Sequence, residues 1–335
     1  MKRIFSEILM AFMNKEDVVL CSIIASSGST PRGAGAKMAV LSTGKTVGTI
    51  GGGAVEFQAT ETAKEVLRTG ESQTKGFILK RNEVADIGMI CGGDVTVYFQ
   101  YFDGKNTENM RLISDIRNLY HKKVNSWLVT SIGEGFVWDM GVYVKGQGFI
   151  GGGSLVESEV LPLCQGKAVL TKNLYVEPLT SGSAVYVFGG GHVSQELVPV
   201  ISHLDFRTIV YENRPEFANK RLFPGAFDVI WGSFTDIVDN CDITEEDYII
   251  IMTRGHSDDY DVLGQALRTQ ANYIGVIGSR KKVAATFARL HEDGFTQRDT
   301  ERIFTPIGLE IQAETPAEIA ISIAAQLISH RANRH

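Results

Sequence analysis

Three consecutive glycines, Gly189, Gly190 and Gly191, are the most informative group in this sequence, because they follow an apolar run at 184–188. The run is typical of a buried parallel strand, and apolar residues recur at helical spacing after His192. Strand, glycine turn and helix in this order are typical of a dinucleotide-binding unit, in which the N–H groups that begin the helix bind a pyrophosphate. We therefore predict a tight turn at Gly189 and cofactor binding by all three glycines and by His192.

An acidic residue lies where such a unit binds the ribose of its cofactor. Glu212 ends the next apolar run, about 20 residues after the glycines. Arg214 follows two residues later and would instead suit a 2′-phosphate, and Ser194 departs from the glycine or alanine preferred at the third fingerprint position. The pattern predicts NAD(P) or another dinucleotide as a ligand. The alternative is a domain of the same fold whose loop binds nothing.

Two further loops follow predicted strands in the same part of the chain. The first contains His256, a candidate for proton transfer at a catalytic site, although the loop is also explained as a helix start with Asp258 as N-cap. The second contains Gly278, Ser279 and Arg280 at the start of a helix. A basic residue is unfavourable at the positive end of a helix dipole, so this turn predicts an anionic ligand. A solvated basic turn is the alternative.

In the first part of the chain, Cys91 directly precedes Gly92 and Gly93. Their N–H groups would stabilise a thiolate, so Cys91 is a candidate catalytic residue and the two glycines are candidates for cofactor binding. A small buried hydrophobic residue is the ordinary role of a free cysteine and stays the alternative. Arg32 lies in a loop rich in glycine and hydroxyl groups and is a candidate for contacting an anion.

A second glycine triplet, Gly51, Gly52 and Gly53, follows a predicted hairpin and begins a helix, which makes it a further candidate for cofactor binding. Ile-Gly-Gly-Gly recurs at 150–153. Either the first domain contains two related halves, or two tight strand-to-helix turns use the same residues. We favour the second explanation.

Two domains are expected from the length of 335 residues. The fold class is α/β: alternating strands and helices predict a Rossmann-like, doubly wound parallel sheet over 184–335, after a mixed α/β domain over 1–172. The polar segment 173–183 is interpreted as a linker. The strands predicted for the second domain are 184–188, 207–212, 226–230, 247–252 and 272–277.

Composition excludes several classes of function. The formal net charge of −6 argues against binding to nucleic acid or to a membrane surface. No apolar run reaches a membrane-spanning length, and the N-terminal segment is a poor signal peptide, so we expect a cytoplasmic protein. The four cysteines are far apart and form neither a disulfide framework nor an iron–sulfur motif.

Seven motifs in order give the chain a family resemblance over nearly its whole length. It resembles the XdhC/CoxI family, the accessory proteins of xanthine dehydrogenase and related molybdenum hydroxylases. The motifs are GSTPRGAGAKM (28–38), GTIGGGAVE (48–56), CGGDV (91–95), VFGGGHVSQEL (187–197), TRGHSDDYDVL (253–263), YIGVIGSRKK (273–282) and TPIGLEIQAETPAEIAISIAAQLI (305–328).

The resemblance implies a Rossmann-like second domain and a protein that binds molybdenum cofactor, assists its sulfuration and hands it to the hydroxylase. It therefore implies a cofactor-insertion chaperone more than a catalyst, although such proteins are often labelled xanthine dehydrogenase. A molybdenum hydroxylase is the implied partner, with a cysteine desulfurase and a second copy of the chain as further candidates. Some members carry a second histidine where this chain has Arg254, so no metal site is predicted.

Three functions are compatible with these observations. The leading hypothesis is the cofactor-handling accessory protein. The second is an NAD(P)-dependent oxidoreductase that uses Gly189, Gly191 and Glu212, and the third is a scaffold that docks a hydroxylase without touching its cofactor. The sequence offers no clear catalytic acid–base pair, which weighs against the oxidoreductase.

Overall fold

The computed structural model describes residues 1–79, 93–132, 139–278 and 280–333. Cys91, Gly92 and Ser279 lie outside these ranges, and for His256 and Arg280 the backbone alone is described. The chain divides into two compact units, Met1–Ser181 and Gly182–His335, and each is described by itself. In the described ranges, no helix combines the length and the apolar character that a membrane crossing requires.

The first unit consists of two consecutive halves that share one arrangement of elements. Each half begins with a helix, continues with three antiparallel strands and a second helix, and ends with two more strands. The first half contains α1 (Lys2–Met13), β1 (Val18–Gly28), β2 (Lys37–Leu41), β3 (Thr46–Gly48), α2 (Gly53–Thr69), β4 (Gln73–Leu79) and β5 (Gly93–Phe102). The second contains α3 (Thr107–Leu119), β6 (Ser126–Ser131), β7 (Met140–Val144), β8 (Gly148–Gly151), α4 (Glu157–Val160), β9 (Val169–Leu170) and β10 (Leu174–Thr180).

The two sheets have the same strand order. The first is β3-β2-β1-β5-β4 and the second is β8-β7-β6-β10-β9, with antiparallel neighbours throughout. The glycine triplets do not occupy equivalent positions in this repeat. Gly48 pairs with Met38 in the first sheet, and the equivalent pair in the second sheet is Gly151 with Gly141. The counterpart of Gly151 is therefore Gly48, three residues before the first triplet begins. The repetition of Ile-Gly-Gly-Gly is thus a local coincidence, whereas the repetition of the whole half is genuine.

One core joins the halves of the first unit. Alternate residues of β1 and β6 face this shared core, and the residues between them pack toward the second helix of their own half. Leu20 and Leu128 belong to the shared core, whereas Cys21 packs with α2 and Val129 with α4. Strands that are buried on both faces explain why these segments lack a clear hydrophobic–polar alternation.

A buried ion pair connects the two sheets. The Lys37 ammonium group contacts the carboxylate of Glu177, and the two side chains are 1% and 2% exposed. Lys37 also donates to Ser22 Oγ at 3.1 Å, and the Tyr175 hydroxyl lies 3.4 Å from Glu177 Oε2. Burial raises the pKa of Glu177, and Lys37 and Tyr175 oppose that shift. The Lys37 and Glu177 charges therefore stabilise each other at a place that solvent hardly reaches.

The repeat contains a second pair, which is uncharged, at the positions equivalent to Lys37 and Glu177. Leu20 in β1 and Leu128 in β6 are equivalent residues of the two halves. Leu20 pairs with Gln100 and Leu128 pairs with Glu177, so Gln100 is the counterpart of Glu177. By the same comparison of strand register, Met140 is the counterpart of Lys37. Gln100 Nε2 lies 3.7 Å from the sulfur of Met140, and both residues are buried. The two sheets thus contact each other through one charged and one uncharged version of the same pair.

The segment 173–183, interpreted as a linker, contains a strand instead. Leu174–Thr180 forms β10, which pairs with β6 and β9, and the division between units falls after Ser181. The polar appearance of the segment comes in part from Glu177, whose charge is satisfied by Lys37 of the first half. A residue with a distant ion-pair partner resembles a surface residue when only its neighbours in sequence are considered.

The second unit is the Rossmann-like parallel sheet that the sequence predicts. Its elements are β11 (Val185–Phe188), α5 (His192–His203), β12 (Thr208–Glu212), β13 (Asp228–Trp231), α6 (Ile237–Asn240), β14 (Tyr248–Ile251), α7 (His256–Arg268), β15 (Tyr273–Val276), α8 (Arg280–Glu292), α9 (Gln297–Thr300), β16 (Ile303–Phe304) and α10 (Pro316–Asn333). The strand order is β13-β12-β11-β14-β15-β16, with all neighbours parallel. The order reverses between β11 and β14, which is where ligands bind in such sheets.

Candidate functional site

The glycine turn after β11 lies at the reversal of strand order. Gly189 has a φ of +107°, and a Cβ atom there would lie 2.4 Å from the carbonyl oxygen of Met252, which follows β14. Its N–H donates to the carbonyl of Tyr211 at 2.9 Å. Only glycine fits a position with this φ and this close approach of another backbone. Gly189 therefore forms the tight turn expected from the sequence.

Two side chains from the first turn of α5 hold the glycine turn in place. The Ser194 hydroxyl donates to the Gly189 carbonyl at 2.5 Å, and Ser194 is fully buried. Gln195 Nε2 donates to the Gly190 carbonyl at 3.1 Å. The departure from the usual fingerprint at Ser194 thus adds a hydrogen bond between helix and turn.

Gly191 and His192 form the start of α5. Gly191 is the N-cap with a φ of −70°, and no described side chain caps this helix start. A Cβ at Gly191 would have no described neighbour within 4 Å. The first N–H groups of a helix lack partners inside the helix and carry a partial positive charge. The space beside Gly191 is therefore suited to an anionic group such as phosphate.

Glu212 lies beside this turn, but its carboxylate is used within the protein. Oε2 accepts the Gly190 N–H at 2.6 Å and the Arg214 guanidinium at 2.8 Å. Oε1 accepts the N–H groups of Asn213 and Arg214 and Arg214 Nε, each at 3.0 Å. Five donors exceed the roughly four lone-pair sites of a carboxylate, so a ribose hydroxyl would have to displace one of them.

These contacts give Glu212 a pH-dependent role in stability. Burial raises the pKa of Glu212, but the bonds from Arg214 and Gly190 lower it more, so the pKa lies below the ordinary value of 4.5. A lowered pKa contributes stability above the unfolded-state value, and that stability is lost as the pH falls through the folded-state value. We expect Glu212→Gln to destabilise the protein at pH 7 and to differ less from wild type as the pH falls below 4.5. Urea denaturation at several pH values measures this difference, and a constant difference would contradict the prediction.

The loop after β14 is a helix start, but Asp258 is not its N-cap. The N-cap is Gly255, and His256 is the first residue of α7. Asp259 Oδ1 accepts the Thr253 N–H at 2.9 Å and the Thr253 hydroxyl at 2.6 Å, which ties α7 to the end of the strand. Asp259 thus connects the helix to the strand end, and no described side chain caps α7. The role of His256 stays a prediction.

The loop after β15 is described only in part. Gly278 follows the strand, and a Cβ there would have no described neighbour within 4 Å. The helix α8 begins at Arg280. Ser279 lies outside the described residues, so the anion site predicted for this turn stays a prediction.

In the first unit, three of the motif segments meet at one end of the first sheet. A Cβ at Gly51 would lie 3.0 Å from Pro31 Cβ and 3.8 Å from Arg32 Cγ. Gly93 pairs with Gly28 at the end of β1, and a Cβ at Gly93 would lie 2.4 Å from the carbonyl of Ser27. The loop at 28–36, the glycine triplet and the start of β5 are thus neighbours, and the Arg32 side chain is exposed beside them.

Backbone N–H groups at the glycine triplet 51–53 already donate to a carboxylate of the protein. The Glu56 carboxylate accepts the N–H groups of Ile50 at 3.1 Å and Gly52 at 3.0 Å, and the Gly51 N–H donates to Thr49 Oγ1. These donors are engaged, so a ligand phosphate would compete with Glu56. Of the described motif residues here, Arg32 and Asp94 have exposed charged side chains, and Arg32 is the cation.

The described cysteines are poor thiolates. Burial and the charge of Glu56 raise the pKa of Cys21, which packs in the core, and burial raises the pKa of Cys164 to about 11. Cys241 is buried. Cys91 and Gly92, the candidates from the sequence, lie outside the described residues, two and one positions before Gly93.

Trp231, which the sequence analysis missed, is an exposed aromatic residue at the same edge of the second sheet as the glycine turn. It ends β13 and is 67% exposed. Its Nε1 donates to the Asn213 carbonyl at 3.1 Å. The sequence feature that could have identified this residue is the tryptophan directly after the predicted strand 226–230.

Comparison with known proteins shows similarity along most of the chain. An uncharacterized Escherichia coli protein, YqeB, is 24% identical over 315 residues, and the chain covers 43% of its length. A Bacillus subtilis protein named as a probable xanthine dehydrogenase subunit is 23% identical over 333 residues, which is 95% of this chain and 94% of the relative. The molybdenum cofactor insertion chaperone PaoD of Escherichia coli is 20% identical over 324 residues, which is 96% of this chain and 86% of the relative.

A solved structure shares the fold. The crystal structure of a xanthine dehydrogenase from Bacillus halodurans matches with a TM-score of 0.81 and 23% identity, over 99% of this chain and 96% of that one. Two family models match different parts of the sequence: the XdhC Rossmann domain over residues 185–327, and the XdhC and CoxI family over residues 12–78. Because both models describe the same family and fall in the two separate units, the chain belongs to the XdhC and CoxI family.

Proposed function

We propose that this protein binds molybdenum cofactor, assists its sulfuration and delivers it to a molybdenum hydroxylase of the xanthine dehydrogenase type. Family membership and the similarity to a protein named as a molybdenum cofactor insertion chaperone support the proposal. A cysteine desulfurase in the cytoplasm would supply the sulfur.

The observation that carries the proposal is the meeting of motif segments at one end of the first sheet. Gly51 lies against Pro31, and Gly93 lies against Ser27, so segments far apart in sequence lie together at the end of the sheet where Arg32 is exposed. The cofactor carries a phosphate, for which a guanidinium group is a suitable partner. A metal site of the protein's own is not needed, because molybdenum arrives as part of the cargo.

Cys91 is the residue that we propose as the contact to molybdenum. Thiolate is a soft ligand, and a cysteine needs a lowered pKa to act as one. Cys21 and Cys164 have raised pKa values because they are removed from water. Cys91 precedes Gly93, which belongs to the group of motif segments around Arg32.

We expect Cys91→Ser to lower the molybdenum cofactor retained by the purified protein and the activation of apo-hydroxylase, with little loss of folding stability. The measurement is cofactor content per protein after gel filtration, together with hydroxylase activity after reconstitution. Cys164→Ser is the matched control and should behave as wild type in both assays. Wild-type values for Cys91→Ser would return this residue to the class of packed cysteines.

We propose further that the second unit binds the phosphate of a nucleotide at the start of α5. Support comes from the open space at Gly191 and from the position of this helix at the reversal of strand order. A dinucleotide such as NAD(P) is compatible with this site. The saturated carboxylate of Glu212 weighs against ribose binding in the manner usual for NAD.

A further inference from the structure

Trp231 is exposed, yet its ring is fixed. Two thirds of the residue is open to solvent, while Nε1 is bonded to the Asn213 carbonyl at 3.1 Å. An indole ring that is held by its polar edge and open on its surface can accept a planar ring by stacking. Phe227, just before the other end of the same strand, differs because the Arg207 guanidinium lies 4.5 Å from its ring centroid.

Trp231 lies at the right distance from the phosphate site to contact the other end of a nucleotide. It pairs with Glu212 on the neighbouring strand, and Glu212 accepts the Gly190 N–H at 2.6 Å. Neighbouring strands are about 4.8 Å apart, so two strand spacings, or about 10 Å, separate the end of β11 from the end of β13. In a nucleoside diphosphate, the ribose and the diphosphate together bridge a gap of this order between the terminal phosphate and the base.

We propose that Trp231 is the stacking platform for the base of a nucleotide whose phosphate lies at Gly191. This inference rests on the proposed binding of a nucleotide phosphate by the second unit. It adds a recognition residue and a ligand class, namely a nucleoside diphosphate or a dinucleotide with an unmodified ribose.

The charges around Arg214 decide against a 2′-phosphate. The guanidinium group makes a two-point contact with Glu212 and stacks on Phe217 at 4.0 Å from the ring centroid. The carboxylates of Glu216 and Asp258 act on the same guanidinium group. Because Arg214 is already bonded to Glu212 and two further carboxylates act on it electrostatically, the local charge repels an added phosphate, whereas a neutral base is not repelled.

The test compares a ligand that has a base with one that lacks it. Calorimetric titration with ADP and with inorganic pyrophosphate is carried out on the full-length protein and on Trp231→Ala. We expect the variant to bind ADP roughly tenfold more weakly, the order of one lost base–aromatic stack, and to bind pyrophosphate unchanged. Trp231→Phe should retain most of the ADP affinity because it keeps an aromatic face. NADP⁺ should bind more weakly than NAD⁺.

Two further variants separate the possible failures. Phe227→Ala removes an aromatic ring near the opposite end of β13 and should leave both affinities unchanged, whereas Gly191→Val should weaken ADP and pyrophosphate alike. Equal ADP affinity in wild type and Trp231→Ala would overturn the stacking role and leave the phosphate site standing. Absence of binding of both probes to the wild type would overturn the stacking role and the proposed phosphate site together.

Discussion

Replacing Lys37 by methionine is expected to lower the free energy of unfolding by about 3–5 kcal/mol, the usual cost of removing one partner from a buried ion pair. Glu177 would then be left as a charge at a place where 2% of its side chain meets solvent. The Tyr175 hydroxyl, 3.4 Å away, cannot replace an ammonium group as counter-charge. Urea denaturation followed by circular dichroism gives the value.

The double variant Lys37→Met with Glu177→Gln should recover most of this loss. It reproduces the Met140–Gln100 pair, which the protein already accommodates at the equivalent place in the repeat. Uncharged residues of similar volume often replace a buried ion pair without net cost. A double-mutant cycle should therefore give a coupling energy of about 3 kcal/mol, at the upper end of values for contacting residues.

A surface ion pair supplies the control. Lys64 and Glu61 on α2 are 2.7 Å apart, and each side chain is about half exposed. Lys64→Met should cost less than about 1 kcal/mol. If Lys37→Met cost no more than Lys64→Met, the buried pair would have no special role in joining the sheets.

Gly189→Ala is expected to destabilise the second unit by about 2–4 kcal/mol. The cost combines a backbone conformation with φ of +107°, which L-residues avoid, and a Cβ placed 2.4 Å from the Met252 carbonyl oxygen. Neither backbone can move easily, because β11 and β14 are paired along their whole length. The shift of the urea-unfolding midpoint measures the effect.

The neighbouring Gly191→Ala is the matched control. Gly191 has a φ of −70° and open space around its Cβ position, so alanine should lower the free energy of unfolding by no more than about 1 kcal/mol, the order of the preference for glycine over alanine at an N-cap. Equal stabilities of the two alanine variants would mean that the close contact at Gly189 is relieved by movement of the turn.

The second unit could be predicted well because its signals are local. The strands β11, β12, β14 and β15 are short apolar runs, and each run lies within a predicted range. The strand β16 was not predicted, because two residues, Ile303 and Phe304, give no pattern of their own.

The role of Glu212 shows the limit of motif reasoning. Glu212 was predicted to bind a ribose, which stays a prediction, and in the structure its carboxylate accepts the Gly190 N–H. The competing donors on Arg214 and Asn213 also follow it directly in sequence, but their geometry comes from the turn after β12. A motif identifies which residues lie together. Which donors each carboxylate oxygen of Glu212 accepts depends on the three-dimensional structure.

Two related halves in the first unit were considered from the sequence, but the other explanation was favoured, and this choice was wrong for the unit as a whole. The glycine triplets drew attention to positions that are three residues out of register, while the equivalent residues differ in type: Lys37 with Met140, and Glu177 with Gln100. Identity of residues was the wrong criterion, because what repeats is the order of strands in the two sheets.

The repeated arrangement also has a consequence for how the chain folds during synthesis. Each half contains every strand of its own sheet, so the first sheet can form as soon as Phe102 has left the ribosome. Its inner face, which includes Phe5, Leu20 and Phe102, then stays exposed to solvent until α3 and the second sheet are synthesised and pack against it. Exposed apolar surface of this kind favours aggregation of a folding intermediate. Docking of the halves, which brings Glu177 to Lys37, is therefore the step that ends this exposure.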